Sequence, residues 1–151
     1  MQTATSPDIP VPLILLVDDN EHGNMARRRV LEGLGYRVKT TTSAEKAIGL
    51  FSEETFDLVV TDYKMLKMTG VELIAALRAV RPTVPTILLS GFADFLGMTT
   101  ESTGADAVLA KNVSELPNLT HNVKRLLRPA APVRAKSAGS QRRRTDASRS
   151  A

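Results

Sequence analysis

Short apolar runs that stop abruptly on polar residues recur along this chain. Leu13-Ile14-Leu15-Leu16-Val17 is continuous in the way of a strand buried on both faces, and it ends on Asp18-Asp19-Asn20. From Glu21 to Leu34, Ala26, Val30, Leu31 and Leu34 recur at helical spacing. That spacing predicts a helix stopped by Gly35, with Arg27, Arg28 and Arg29 facing solvent. Tyr36 to Thr41 alternates weakly and predicts a second strand. Thr42 or Ser43 can cap the next helix, Thr42 standing at capping-box spacing from Glu45, and its apolar side is Ala44, Ala47, Ile48 and Phe51. A third strand, Asp57 to Asp62, ends in a carboxylate and is followed by a polar loop containing Met65 and Met68.

Gly70 to Arg78 reads as a helix through Val71, Leu73, Ile74 and Leu77, closed by Arg81-Pro82. Val84 to Ser90 predicts a fourth strand, with Pro85 at its start where a missing N–H is tolerable. A weaker helix is expected over Ala93 to Ser102, and Ala107 to Lys111 is the fifth strand. Ser114 is placed to cap a last helix carrying Leu116, Leu119, Val123 and Leu126, with Pro117 in its first turn. Five strands alternating with five helices predict one doubly wound α/β domain, a parallel sheet covered on both faces in three α/β/α layers.

Composition divides the 151 residues into three parts. Residues 1–12, with Pro7, Pro10 and Pro12, read as a loose lead-in, 13–127 as the domain, and 128–151 as a basic disordered tail. The tail holds seven of the 20 basic residues and one of the 16 acids, so the domain is slightly acidic and the net charge of +4 belongs to the tail. Arg142-Arg143-Arg144 could touch phosphates, but no aromatic stands among them to stack on bases, so nucleic acid is not the expected partner. The chain has no cysteine, which excludes disulfides, thiolate zinc sites and a thiol nucleophile. With no apolar run long enough for a membrane span and no secretory signal pattern, a cytoplasmic protein is expected.

The chemistry gathers where strands end. In a parallel sheet the carboxyl ends share one edge, which brings Asp18, Asp19, Asp62, Ser90 and Lys111 together. Three close carboxylates repel unless a cation joins them. All-oxygen donors without His or Cys suit magnesium, or manganese, and leave room for a phosphate. Lys111 adds a point charge and Ser90 a hydroxyl, a set suited to phosphoryl transfer onto Asp62. Each feature alone has a plainer account: a strand-end Asp is usually a helix cap, Ser90-Gly91 a turn, Lys111 a solvated lysine. Their coincidence at four strand ends favours the joint reading. His22 and His121 have no second ligand at metal spacing and are assigned to surface or packing roles.

These residues carry a resemblance. From Leu13 to Leu127 the chain resembles the receiver domain of two-component response regulators, through Asp18-Asp19, Asp62 with Met65, Met68 and Gly70, Ser90-Gly91, and Lys111. The resemblance implies a flavodoxin-like sheet of order 2-1-3-4-5 and a phosphoacceptor at Asp62 served by a histidine kinase or phosphotransfer protein. It implies magnesium held directly by Asp19, Asp62 and the Lys64 carbonyl and through water by Asp18. Ser90 would follow the phosphoryl group and Lys111 would pair with it. Leu66 and Asn112 stand where the family usually has proline, and Val108 where many members carry a switching aromatic, so Phe92 or Phe95 would have to substitute. At Asn112 the turn is either trans or a strained cis bond. Lys64 and Phe92, each two residues beyond a site residue, are placed to hinder an attacking water and prolong a phosphoryl state.

With 24 residues after Leu127 and no output module among them, a stand-alone receiver is expected, acting by phosphoryl shuttling or by binding a downstream protein. A phosphorylation-dependent homodimer stays open. The rival readings are a receiver-like module that binds partners without phosphorylation, and a magnesium-dependent hydrolase with an aspartyl-phosphate intermediate. Tyr63-Lys64 speaks against the hydrolase, which needs a carboxylate just after its nucleophile.

Overall fold

Alternation along the strands decides which helices cover which face. In the computed structural model of the chain, which describes residues 10–91 and 95–128, the strands are β1 (Leu13–Val17), β2 (Arg37–Thr41), β3 (Leu58–Asp62), β4 (Thr86–Ser90) and β5 (Ala107–Ala110). The helices are α1 (Glu21–Gly33), α2 (Ala44–Glu53), α3 (Gly70–Val80), α4 (Thr100–Thr103) and α5 (Glu115–Leu126). All strands pair in parallel in the order β2-β1-β3-β4-β5. Ile14, Leu16, Leu58, Val60, Ile87 and Leu89 pack with Leu31 of α1 and Leu119 and Val123 of α5. Leu13, Leu15, Val17 and Val59 point the other way, onto Ala44, Ala47 and Phe51 of α2 and Leu73 and Leu77 of α3. Every residue of β1, β3 and β4 is buried, which is why β1 and the centres of β3 and β4 read as apolar runs. Burying one such aliphatic side chain contributes about 1.5–3 kcal/mol.

Two aspartates pin the lower edge of the sheet. Asp57 donates its N–H to the Leu13 carbonyl (2.8 Å) and accepts the Leu13 N–H on Oδ2 (2.8 Å), clasping the starts of β1 and β3. Asp106 does the equivalent at the far side, accepting the Thr86 N–H (2.9 Å) and Arg78 Nη2 (2.8 Å). Arg81 lies over the Phe51 ring at 4.5 Å. No helix among the described residues is long and apolar enough to cross a membrane.

Several elements depart from the sequence reading. The helix expected over Ala93 to Ser102 begins on residues that lie outside the described ones, Ala93 and Asp94, and is interrupted later. Phe95 is helical (N–H to the Gly91 carbonyl, 2.8 Å), and past Gly97 there is a fresh start at Thr99. There the Thr99 hydroxyl accepts the Ser102 N–H and Ser102 Oγ accepts the Thr99 N–H, so α4 is one turn, ended by Gly104 at φ 80°. Hydroxyl side chains that bond nearby backbone favour such starts over helix interiors. Ser43, not the Thr42–Glu45 pair, caps α2, accepting the Lys46 N–H at 3.2 Å. Ser114 precedes α5 without a side-chain cap, and its own N–H goes to Asn112 Oδ1 (2.8 Å). Every peptide bond among the described residues is trans, Lys111–Asn112 included. On α1, Ala26 and Leu34 are exposed and Arg27 is buried, so the inner face is Asn24, Arg27 and Leu31. Residues 1–9 of the lead-in and the tail from 129 lie outside the described residues.

Gly70 starts α3 directly beneath the end of β3, inside the reciprocal cap of Thr69 and Glu72. A Cβ there would stand 2.3 Å from the Asp62 carbonyl oxygen and 2.7 Å from Leu88 Cδ1. Gly70→Ala is therefore expected to cost about 3 kcal/mol, read as a lowered urea midpoint. A Gly49→Ala control, where the added Cβ meets nothing within 4 Å in the middle of α2, should instead be more stable than the wild type by about 0.5–1 kcal/mol.

Candidate functional site

The sheet order reverses at β1, whose neighbours are β2 and β3, and a crevice forms at the carboxyl ends where such a reversal occurs. Pairing Val17 with Thr61 puts the next residues of the two strands, Asp18 and Asp62, side by side. Asp18 is 1% exposed and Asp62 5%. Asp19 is exposed, and the three carboxylates offer oxygens that all lie within 4.8 Å of one another. An open cavity of about 430 Å³ is lined by Asp18, Asp19, Asn20, Asp62, Lys64, Gly91 and Lys111.

Lys111 follows β5, its N–H bonded to the Ser90 carbonyl at 2.9 Å. Its ammonium reaches Asp62 Oδ1 at 2.7 Å and Asp18 Oδ2 at 3.5 Å. Ser90 is fully buried at the end of β4, and its Oγ has no hydrogen-bond partner among the described residues. Leaving a buried hydroxyl unpaired costs about 1–3 kcal/mol, so this one invites a ligand or a water. The five residues expected at one edge are thus together. Lys64 is exposed and lines the cavity, whereas Phe92 lies outside the described residues. His22 and His121 are both exposed. Val108 is half-buried with Ile74, Leu88, Ala105 and Met98, and the aromatic in that cluster is Tyr63. Phe95 is half-buried.

Two residues at the site escaped the sequence reading. Arg27 is 5% exposed and donates Nη1 to Asp18 Oδ2 (2.7 Å) and Nε to Glu115 Oε2 (2.6 Å). Its spacing, three after buried Asn24 and four before buried Leu31, was the available signal, masked because it sits in a run of three arginines. Asn24 fixes the same corner, donating to the carbonyls of Asp18 (3.2 Å) and Thr41 (3.1 Å).

The two buried carboxylates are displaced in opposite directions. Burial works against ionisation of Asp18, but the Asn20 N–H, the Arg27 hydrogen bond and the Lys111 charge outweigh it and hold the carboxyl below its ordinary value. Burial pushes Asp62 above its ordinary value; the Lys111 hydrogen bond opposes this and the Asp18 charge adds to it. The donor set, three carboxylates facing one polar cavity, fits a hard divalent cation such as magnesium.

Because Asp62 holds its proton more tightly in the fold than in the unfolded chain, its contribution to stability is full at low pH and is lost as pH rises through its raised pKa. Without divalent cations, Asp62→Asn is expected to be more stable than the wild type at neutral pH. The advantage should vanish as pH falls to the ordinary value of 3.8 and below. Urea melts across that range check it; a variant less stable than the wild type at neutral pH would contradict it.

Comparison with known proteins gives the same answer from a different direction. The family model described as "Response regulator receiver domain" matches residues 14–124. RpfC of Xanthomonas campestris, a sensory/regulatory protein, is 30% identical over 131 residues, 80% of this chain and 18% of its own length. BvgS of Bordetella pertussis, a virulence sensor protein, is 42% identical over 79 residues, 51% of this chain and 6% of its own. The chain thus spans less than a fifth of these relatives. Among solved structures, the response regulator TrrA of Thermotoga maritima in complex with magnesium and BeF is 26% identical. It superposes with a TM-score of 0.70 over 78% of this chain and 100% of that one. A CheY-like receiver domain of Methanospirillum hungatei is 28% identical with a TM-score of 0.69, over 78% and 94%. With most of its length matched by the family model and its fold shared with solved members, the chain belongs to the response regulator receiver domains of two-component systems.

Proposed function

We propose that Asp62 is the phosphoacceptor of a signalling switch, charged by a phosphohistidine on a histidine kinase or phosphotransfer protein. The observation that carries this reading is Asp62, buried at 5% exposure, with Lys111 at 2.7 Å and the unpartnered Ser90 hydroxyl on the next strand. A carboxylate oxygen of Asp62 attacks phosphorus, the P–N bond breaks, and the electron pair leaves on the donor imidazole. Lys111 moves with the new charge, from the carboxylate to a phosphoryl oxygen. Ser90 donates its free hydroxyl to another, satisfying a group that is orphaned beforehand. Magnesium, with manganese as the alternative, held by Asp19, Asp62, the Lys64 carbonyl and, through water, Asp18, would neutralise the charge that builds in transfer.

In this reading the chain assists its own phosphorylation and dephosphorylation but turns over no substrate of its own. The functional unit is 13–127, with 1–12 a lead-in and 128–151 a basic tail, and it acts in the cytoplasm on a downstream protein or as a phosphoryl shuttle. Relatives named as sensory/regulatory and virulence sensor proteins support a place in a signalling relay. The magnesium-bound state of TrrA supports the metal.

Incubation with a small phosphodonor and magnesium should give one phosphoryl adduct by intact mass, absent with a chelator and absent in Asp62→Asn. No adduct on a folded wild type would favour partner binding without phosphorylation. Lys64 lines the cavity and is expected to shield the acyl phosphate from water. Lys64→Asn should therefore lose phosphate several-fold faster in a chase of the labelled protein; equal rates would remove that role.

A further inference from the structure

Arg27 is used by no step of the phosphoryl chemistry, yet it is among the most deeply placed charges in the molecule, at 5% exposure. A guanidinium is not buried without partners, because the loss of hydration is too costly. Arg27 has two, on opposite sides: Asp18 Oδ2 at 2.7 Å and Glu115 Oε2 at 2.6 Å. Glu115 is the first residue of α5 and arrives from 88 positions along the chain, so the pair also ties α1 to α5. Asp18 is engaged on both oxygens, Oδ1 by the Asn20 N–H at 2.9 Å and Oδ2 by Arg27 and, more distantly, Lys111.

A carboxylate so held cannot turn freely toward a cation in the cavity. Its charge is already shared with a fixed neighbour. Asp19, exposed and next in sequence, has no such restraint among the described residues. We propose that Arg27 is a positioning residue and tethered counter-cation: it holds Asp18 back from direct ligation and lowers the affinity of the site for a divalent metal. Glu115 sets how much of the Arg27 charge the site feels. This rests on magnesium binding at Asp19 and Asp62.

The arrangement makes the two partners of one ion pair act in opposite senses. Removing the arginine charge frees Asp18 and leaves Lys111 as the cation in contact with the buried carboxylates among the described residues, so a dication binds more tightly. Removing the glutamate charge gives all of Arg27 to Asp18, so a dication binds more weakly. A pair that served only to pack α1 against α5 would lower stability in either variant and would leave magnesium affinity to the small, salt-screened effect of a distant charge.

The test is the magnesium dissociation constant of the full chain, measured by calorimetric or NMR titration without phosphodonor. The proteins are the wild type, Arg27→Gln, Glu115→Gln and Arg27→Lys, each checked for folding by circular dichroism. Arg27→Gln is expected to bind magnesium about fivefold tighter or more, the scale of removing a unit charge a few ångströms from a cation in water-like screening. Glu115→Gln should bind several-fold weaker, and Arg27→Lys, which keeps the charge, should stay near the wild type. Should Arg27→Gln fail to fold, Glu115→Gln decides alone. Unchanged or tighter binding in Glu115→Gln, or shifts of the same sign in both neutral variants, would overturn the inference while magnesium binding by the wild type stands. A folded wild type that takes up no magnesium would overturn the metal reading itself, and this inference with it.

Discussion

Negative charge crowded onto one end of a buried sheet is the constraint around which the rest of this molecule is arranged. Parallel pairing of Val17 with Thr61 leaves Asp18 and Asp62 adjacent, both nearly out of water. Two such carboxylates cannot both ionise cheaply. The fold answers with cations brought from distant elements: Lys111 from the end of β5, which reaches both, and Arg27 from α1, which takes Asp18. The division is unequal. Asp18, with three donors, is held as an anion, whereas Asp62 is left with a raised pKa and one strong partner. The carboxylate left less satisfied is the one proposed to react.

Acids also stand at the opposite end of the sheet, where they hold strands together. Asp57 and Asp106 each close the first rung between neighbouring strands with a side-chain acceptor. Arg78 then links α3 to Asp106, Thr86 and the carbonyls of Val84 and Gly104. These acids resemble Asp18 and Asp62 in sequence, each standing beside an apolar run. They differ in that neither is joined to Lys111 or lines the cavity. Acid at the amino end of a strand clasps the sheet here; acid at the carboxyl end faces the cavity.

Most of this was legible in the sequence because the strands are apolar enough to be recognised and a parallel sheet sends all their carboxyl ends one way. The gathering of Asp18, Asp19, Asp62, Ser90 and Lys111 at one edge follows from that alone, whereas the order of the strands was implied by the resemblance to receiver domains. What escaped were polar residues doing the work of apolar ones. On α1 the inner face is Asn24, Arg27 and Leu31, and a search for hydrophobic spacing instead found Ala26 and Leu34, which are exposed. Glu115 could not be matched to Arg27, because nothing in sequence marks a pair 88 residues apart. The weaker helix expected over Ala93 to Ser102 is interrupted for a local reason. Thr99 and Ser102 bond each other's backbone more readily than they continue a helix across Gly97.

That short helix bears on how an event at Asp62 reaches the surface. Ser90 would have to approach a phosphoryl group, and the neighbouring β5 position facing Leu88 is Val108, a β-branched residue with little rotamer freedom. It cannot swing inward as a ring would. The remaining adjustable groups in its cluster are Tyr63, whose N–H is tied to Leu89 (2.7 Å), and Met98, an unbranched side chain at the entrance to α4. A single helical turn bounded by Gly97 and Gly104 has little hydrogen bonding of its own to resist displacement. In the proposed switch, the groups of this cluster left to respond are therefore Tyr63, Met98 and the single turn of α4 rather than a rotating ring at position 108.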